Sequence, residues 1–191
     1  MQRKGTILIV DDRIEEKIGF FQEYLKIDGY TIRIAETLEE ANKEISTLLR
    51  SNSLDGIILD FSFPVDAKDP SVHVDGIPNG VSLFRKHEFK IKTQRIPVVI
   101  NTTGDEEYKR KYLGNIEDLG TPTYNVNHEA NPLAQTTNRE MVREILKLFN
   151  ARTEQRILNS QVQPNKSWNM RGKSVIQRPD GRFAYSRYDD D

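Results

Sequence analysis

The sequence predicts an α/β fold, a parallel sheet covered by helices on both faces, followed by a C-terminal extension. Three observations predict it. Over the first 150 residues, short runs of branched apolar residues alternate five times with stretches of helical period. The runs Ile7-Leu8-Ile9-Val10 and Ile57-Ile58-Leu59 are continuously apolar, as strands buried on both faces are. The segments between strands are helical, which is how parallel strands are joined.

The elements follow in order. Residues 7–10 form the first strand. Ile14, Ile18, Phe21 and Leu25 then recur at helical spacing, with Asp12 ahead as an N-cap and Gly29 as a C-terminal signal. Residues 31–35 read as a second strand. A second helix carries Leu38, Ala41, Ile45 and Leu48, with Thr37 as cap and Glu40 three residues on, the spacing of a capping box. Residues 56–60 are a buried strand ending in Asp60. The stretch 61–79 holds three prolines and little periodicity, so it reads as irregular. A helix resumes over residues 80–89 with Val81 and Phe84, and a fourth strand spans residues 97–101. Residues 105–119 are highly charged, with Tyr108, Tyr112 and Leu113 as their buried side. Residues 122–126 read as a fifth strand, and Met141, Ile145, Leu148 and Phe149 mark a fifth helix. No internal repeat is evident.

The domain reading is 1–150 and 151–191. Residues 159–174 are polar around a single Trp168, and residues 175–188 read as two short strands around the turn Pro179-Asp180-Gly181. Such a terminus is either a flexible tail or a hairpin that docks on a partner or on its own domain.

Composition excludes several classes. Lys plus Arg number 28 and Asp plus Glu 29, a net charge of −1, so the whole chain exerts no pull on nucleic acid or acidic membrane. With no cysteine, disulfides, Cys-bound zinc, iron–sulfur clusters and thiol catalysis are out. No apolar run approaches the roughly 20 residues of a membrane span. Asp11 and Asp12 cut short any signal-peptide core, which leads to the expectation of a soluble, cytoplasmic protein.

The chemistry lies in the carboxylates. Ligands of open parallel sheets sit beyond the carboxyl ends of the strands. Asp11 and Asp12 follow strand one, Asp60 ends strand three, and Thr102 and Thr103 follow strand four. Were the aspartates only helix caps, each would be explained singly. Together they form a rim whose mutual repulsion requires a cation, and hard oxygen ligands open to water suit Mg²⁺.

The motifs ILIVDD, GIILD followed by Phe-Ser-Phe-Pro, and IPVVINTTG resemble the receiver (CheY-like) domain of two-component response regulators, over residues 5–150. The resemblance implies a doubly wound (βα)5 fold with strand order 2-1-3-4-5. It implies that Asp60 accepts a phosphoryl group from a histidine kinase or phosphotransfer protein. Asp11 and Asp12, with Asp60 and the backbone carbonyl of Ser62, are implied to hold Mg²⁺. Thr102 falls on the switch hydroxyl, and Tyr124 on the aromatic that reports phosphorylation at the surface. An aspartate needs no proton removed to act as a nucleophile, and a metal offsets the charge of the transferring group.

Two departures stand out. The family carries a lysine at the end of strand five; alignment on Tyr124 puts Asn127 and His128 there, and no lysine or arginine lies between Lys111 and Arg139. The family's Asp-Gly follows the acceptor within a few residues, whereas Asp75-Gly76 and Asn79-Gly80 come late, so an insertion sits beside Asp60. Lys68 in that insertion is the candidate replacement for the absent cation; the alternative is a solvated loop residue.

Other chemistries lack their motifs. There is no Gly-rich phosphate loop and no His-Glu-x-x-His, and His73, His87 and His128 have no ligand spacing. Phe61 and Ser62 stand where a haloacid-dehalogenase-like phosphatase needs its second aspartate. Two readings remain. One is a phosphorylatable receiver that signals through its surface to a protein partner. The other is a pseudo-receiver, an interaction module that works without phosphorylation. Neither is an enzyme, and neither binds nucleic acid or membrane.

Overall fold

The computed structural model describes residues 4–13, 24–101, 111–112, 132–161, 167–170, 173–177 and 183–187. The chain divides into two compact units, residues 1–153 and 154–191. In chain order the first contains β1 (Thr6–Val10), β2 (Thr31–Ala35), α1 (Leu38–Arg50), β3 (Leu54–Leu59), β4 (His73–Val74), β5 (Ile77–Pro78), α2 (Asn79–Thr93), β6 (Val98–Ile100) and α3 (Pro132–Gln161) up to residue 153.

β1, β2, β3 and β6 form a parallel sheet in the order β2-β1-β3-β6, which is the expected order of the first four strands. The expected fifth strand at 122–126 lies outside the described residues, as do most of the first helix and the charged segment 105–119. Every residue of β1 and β3 is buried, because the alternating side chains feed two separate cores. On one face Leu8, Val10, Ile57, Leu59, Val98 and Ile100 pack with Ala41, Ile45 and Leu48 of α1 and Val81, Phe84 and Ile91 of α2. On the other, Ile7, Ile9, Ile58 and Val99 pack with Leu25, Tyr30 and, from α3, Val142, Ile145 and Phe149. Each strand thus satisfies a doubly covered sheet.

The helix ends are closed by named groups. Residues 24–27 are helical and end in paired caps, Gly29 N–H to the Lys26 carbonyl and Tyr30 N–H to the Leu25 carbonyl, the bond pattern of a Schellman motif. At α1, Thr37 Oγ1 accepts from Glu40 N–H at 3.2 Å, as the spacing predicts. The reciprocal half of the box is displaced by one residue, since the Glu40 carboxylate accepts from Glu36 N–H at 3.0 Å. The remaining first-turn amides of α1 are taken by the chain after Asp60: Leu38 N–H bonds the Pro64 carbonyl and Glu39 N–H the Val65 carbonyl.

The stretch 61–79 is more ordered than its sequence predicts. β4 and β5 form a minimal antiparallel hairpin across Asp75-Gly76, whose φ angles of 53° and 74° belong to the two-residue turn that matches strand twist. Asn79 then anchors the segment. Its Nδ2 donates to the Phe63 carbonyl at 2.7 Å and the Ser71 carbonyl at 2.9 Å, and its backbone N–H to the Val72 carbonyl.

α3 runs beyond the helix that apolar periodicity marks. Polar residues extend its contact with the sheet. Thr153 Oγ1 donates to Asp55 Oδ2 at 2.8 Å and lies 3.1 Å from the Tyr30 hydroxyl, which donates to Asn150 Oδ1 at 2.8 Å. Lys4 Nζ also bonds Asn150 Oδ1, at 2.7 Å, and Asp28 at 2.8 Å. Thr153 thereby supplies a hydrogen bond to the fully buried Asp55 near the start of β3.

α1 and α2 share one polar contact. His87 Nε2 lies 3.1 Å from Asn42 Oδ1, and Asn42 Nδ2 is committed to the Leu38 carbonyl, so Nε2 carries the hydrogen. Burial, together with the charges of Lys86 and Lys90, holds the His87 pKa below its ordinary 6.5. The unfolded chain therefore takes up this proton first. The contribution of His87 to stability is complete above the unfolded pKa and is lost as pH falls from 6.5 toward the lowered folded value. Urea midpoints measured from about pH 8 down to about pH 5 should fall more steeply for wild type than for His87→Gln. Parallel curves would show that His87 does not contribute.

The second unit contains an antiparallel sheet, β7 (Ser167–Met170), β8 (Lys173–Gln177) and β9 (Phe183–Arg187), in the order β7-β8-β9. β8 and β9 are the two expected strands flanking Pro179-Asp180-Gly181. β7, which pairs Trp168 with Val175, was not expected, because its four residues sit in a polar run without alternation. No helix among the described residues is long and apolar enough to cross a membrane.

Candidate functional site

The parallel register fixes the site. Val10 pairs with Leu59, so Asp11 and Asp60 leave adjacent strands at one edge, and the ladder continues through Asp60 N–H to the Val10 carbonyl at 2.9 Å. Asp11 is fully buried, Asp60 is buried, and Asp12 is exposed. One carboxylate oxygen from each of the three lies within 4.8 Å of the others. At 4.8 Å and an effective dielectric near 20, two unit charges repel by about 3.5 kcal/mol.

Neutral donors offset part of this. Arg13 N–H donates to Asp11 Oδ1 at 2.8 Å and Asn101 Nδ2 to Asp11 Oδ2 at 3.1 Å. Phe61 N–H donates to Asp60 Oδ1 at 2.6 Å, and Ser62 N–H approaches the same oxygen at 3.4 Å. The Arg13 guanidinium lies 3.8 Å from Asp12, an exposed pair that contributes little. Three hard oxygen donors with one member open to water suit a divalent cation that keeps part of its hydration, so the residues fit the implied metal.

The loop after Asp60 is held by both neighbouring helices. Gly80 N–H of α2 bonds the Phe61 carbonyl at 2.9 Å, while Pro64 and Val65 close α1. Gly80 approaches so closely that a Cβ there would overlap the Asp60 carbonyl oxygen and lie 2.9 Å from Phe61 Cα. The Asn79-Gly80 pair is thus placed against the loop that follows Asp60.

Of the residues named from sequence, Asp11, Asp12 and Asp60 come together, and the half-buried Ser62 lies beside Asp60. Lys68 is exposed in a turn closed by Asp66, whose Oδ1 accepts the Lys68 and Asp69 amides at 2.6 and 2.9 Å. Thr102, Tyr124, Asn127 and His128 lie outside the described residues. Sequence reasoning missed Asn101, a buried amide reaching Asp11 from the end of β6. The signal was present, because Asn101 is a polar residue ending an apolar strand, the feature that singled out Asp60. Burying such a group without full pairing costs about 1–3 kcal/mol.

No family model matches the sequence, and no curated protein does. Among solved structures, a CheY-like response regulator receiver domain protein from Methanospirillum hungatei JF-1 is similar over 80% of this chain and 98% of its own, with 17% identity and a TM-score of 0.50. The phosphorylated cyanobacterial phytochrome response regulator RcpA is similar over 76% of this chain and 94% of its own, with 21% identity and a TM-score of 0.50. At these identities the likeness is one of fold. The four-stranded sheet in the order β2-β1-β3-β6, flanked by helices, is the α/β fold of response regulator receiver domains.

Proposed function

We propose that this chain is a response regulator receiver that accepts a phosphoryl group on Asp60. The donor is the phosphohistidine of a histidine kinase or phosphotransfer protein, and the output is a contact with a protein partner in the cytoplasm. The convergence of Asp11, Asp12 and Asp60 at the carboxyl edge of a receiver-type sheet carries this reading. A carboxylate oxygen of Asp60 attacks phosphorus, the phosphorus–nitrogen bond of the donor breaks, and the imidazole leaves with the bonding pair.

Asp11, Asp12, Asp60 and the carbonyl of Ser62 would hold Mg²⁺, which when bound would supply positive charge to offset that of the transferring group. The Phe61 amide fixes one oxygen of Asp60 and so orients the carboxylate for in-line approach. The acyl phosphate then recruits donors nearby, with Thr102 as the hydroxyl and Tyr124 as the reporting aromatic by resemblance.

Intact mass, measured after incubation with acetyl phosphate and Mg²⁺, tests the reading. Wild type is expected to gain one phosphoryl group, which Asp60→Asn and wild type in chelator do not. A folded wild type that gains none makes the chain an interaction module, and equal labelling of Asp60→Asn removes Asp60 from the role.

A further inference from the structure

Asn101 directly follows the apolar run Val98–Ile100 that forms β6 and is 1% exposed. A leucine or valine would continue Val98–Ile100 there with no polar atom to satisfy. Instead its backbone N–H bonds the Leu59 carbonyl at 2.8 Å, and its side chain passes the end of β3 to reach Asp11, which follows β1. Its Oδ1 is buried and has no partner among the described residues.

We propose that Asn101 is a positioning residue for the cation site, one that fixes the Asp11 carboxylate through Nδ2 and offers Oδ1 to a water of the hydrated cation. The proposal rests on the reading that Asp11, Asp12 and Asp60 hold Mg²⁺. The terminal torsion of an aspartate is soft, and two like charges within 4.8 Å push Asp11 to turn away. Donors on both oxygens, Arg13 N–H and Asn101 Nδ2, remove that freedom. An ammonium or guanidinium in place of Asn101 would also hold Asp11, but its charge would compete with the cation. A neutral amide holds the carboxylate and leaves its charge for the metal. The two ends of the amide divide the work, since the hydrogens are needed by Asp11 and a metal-bound water is a donor that suits Oδ1.

Mg²⁺ titrations by calorimetry and by amide shifts, run on wild type, Asn101→Leu and Asn101→Ser, test this, with melting curves recorded on each. Groups that orient metal ligands typically change affinity by 10-fold or more, so Asn101→Leu should bind Mg²⁺ about 10-fold more weakly. Its spectrum away from the site should remain that of wild type. The Arg13 amide, which reports where Asp11 stands, should shift in the variant even without the ion. Asn101→Ser, whose hydroxyl retains a donor and an acceptor, should lose less. A residue that serves packing alone would move the melting temperature and leave affinity unchanged. Wild-type affinity in Asn101→Leu overturns the proposal while the reading of the site stands. A folded wild type that binds no Mg²⁺ overturns both. If Asn101→Leu does not fold, the serine variant decides, weakened binding supporting the role and unchanged binding ending it.

Discussion

Replacing Gly80 with alanine is expected to destabilise the protein by about 3 kcal/mol and to displace the backbone that carries Asp60. The added methyl would meet backbone, namely the carbonyl group of Asp60 and the Cα of Phe61, with no flexible side chain able to move aside. Backbone cannot yield cheaply here, because it is tied on several sides. Asp60 N–H is in the ladder to Val10, the Phe61 carbonyl is bonded by Gly80 itself, and the Pro64 and Val65 carbonyls close the first turn of α1. Relief requires α2 to retreat, which breaks the Gly80 to Phe61 bond and loosens Val81, Leu83 and Phe84 in the core. Urea denaturation measures the first effect. The second is read at the Phe61 amide, whose 2.6 Å bond to Asp60 Oδ1 should weaken and exchange faster. An alanine variant with wild-type midpoint and exchange would mean that α2 has room that the close approach denies.

The same contacts explain which features were legible in the sequence. Asp11, Asp12 and Asp60 were readable because a carboxylate directly after a buried apolar run is a local signal, and parallel pairing of β1 with β3 brings two such ends together. Thr37 was readable for the same reason, its role being decided within three residues. What escaped depended on distance. Where α3 continues past its apolar positions, Asn150 and Thr153 bond Tyr30 and Asp55, polar contacts that apolar periodicity could not reveal. Asp75-Gly76, taken as a displaced family motif, is the turn of the β4–β5 hairpin. Asn79-Gly80 is the pair that approaches the loop after Asp60, and only the fold separates these two uses of similar dipeptides. Asn101 shows the limit best. Its position at a strand end was visible, but its partner lies 90 residues earlier in the chain.

Phe149→Ala should cost about 4 kcal/mol, a typical loss for a buried aromatic, and the loss should depend on residue 56. Phe149 is fully buried on the α3 side of the sheet, edge-on to Tyr30 with ring centres 6.4 Å apart. Its ring lies directly over Gly56 of β3, where a Cβ would overlap it. In wild type Gly56→Ala is therefore destabilising, because the ring is enclosed by Ile7, Ile9, Val142 and Ile145 and has nowhere to go. Once Phe149 is alanine, the same methyl enters vacated space and buries apolar surface. The two substitutions occupy one volume, so their costs cannot add. Urea midpoints of wild type, both single variants and the double variant form the cycle. The double variant should be no less stable than Phe149→Ala alone, although Gly56→Ala alone is clearly harmful. With total stabilities of 5–15 kcal/mol usual for domains, Phe149→Leu supplies a milder background if the alanine variant does not fold. Additive costs in either background would show that the ring and the glycine do not share this space.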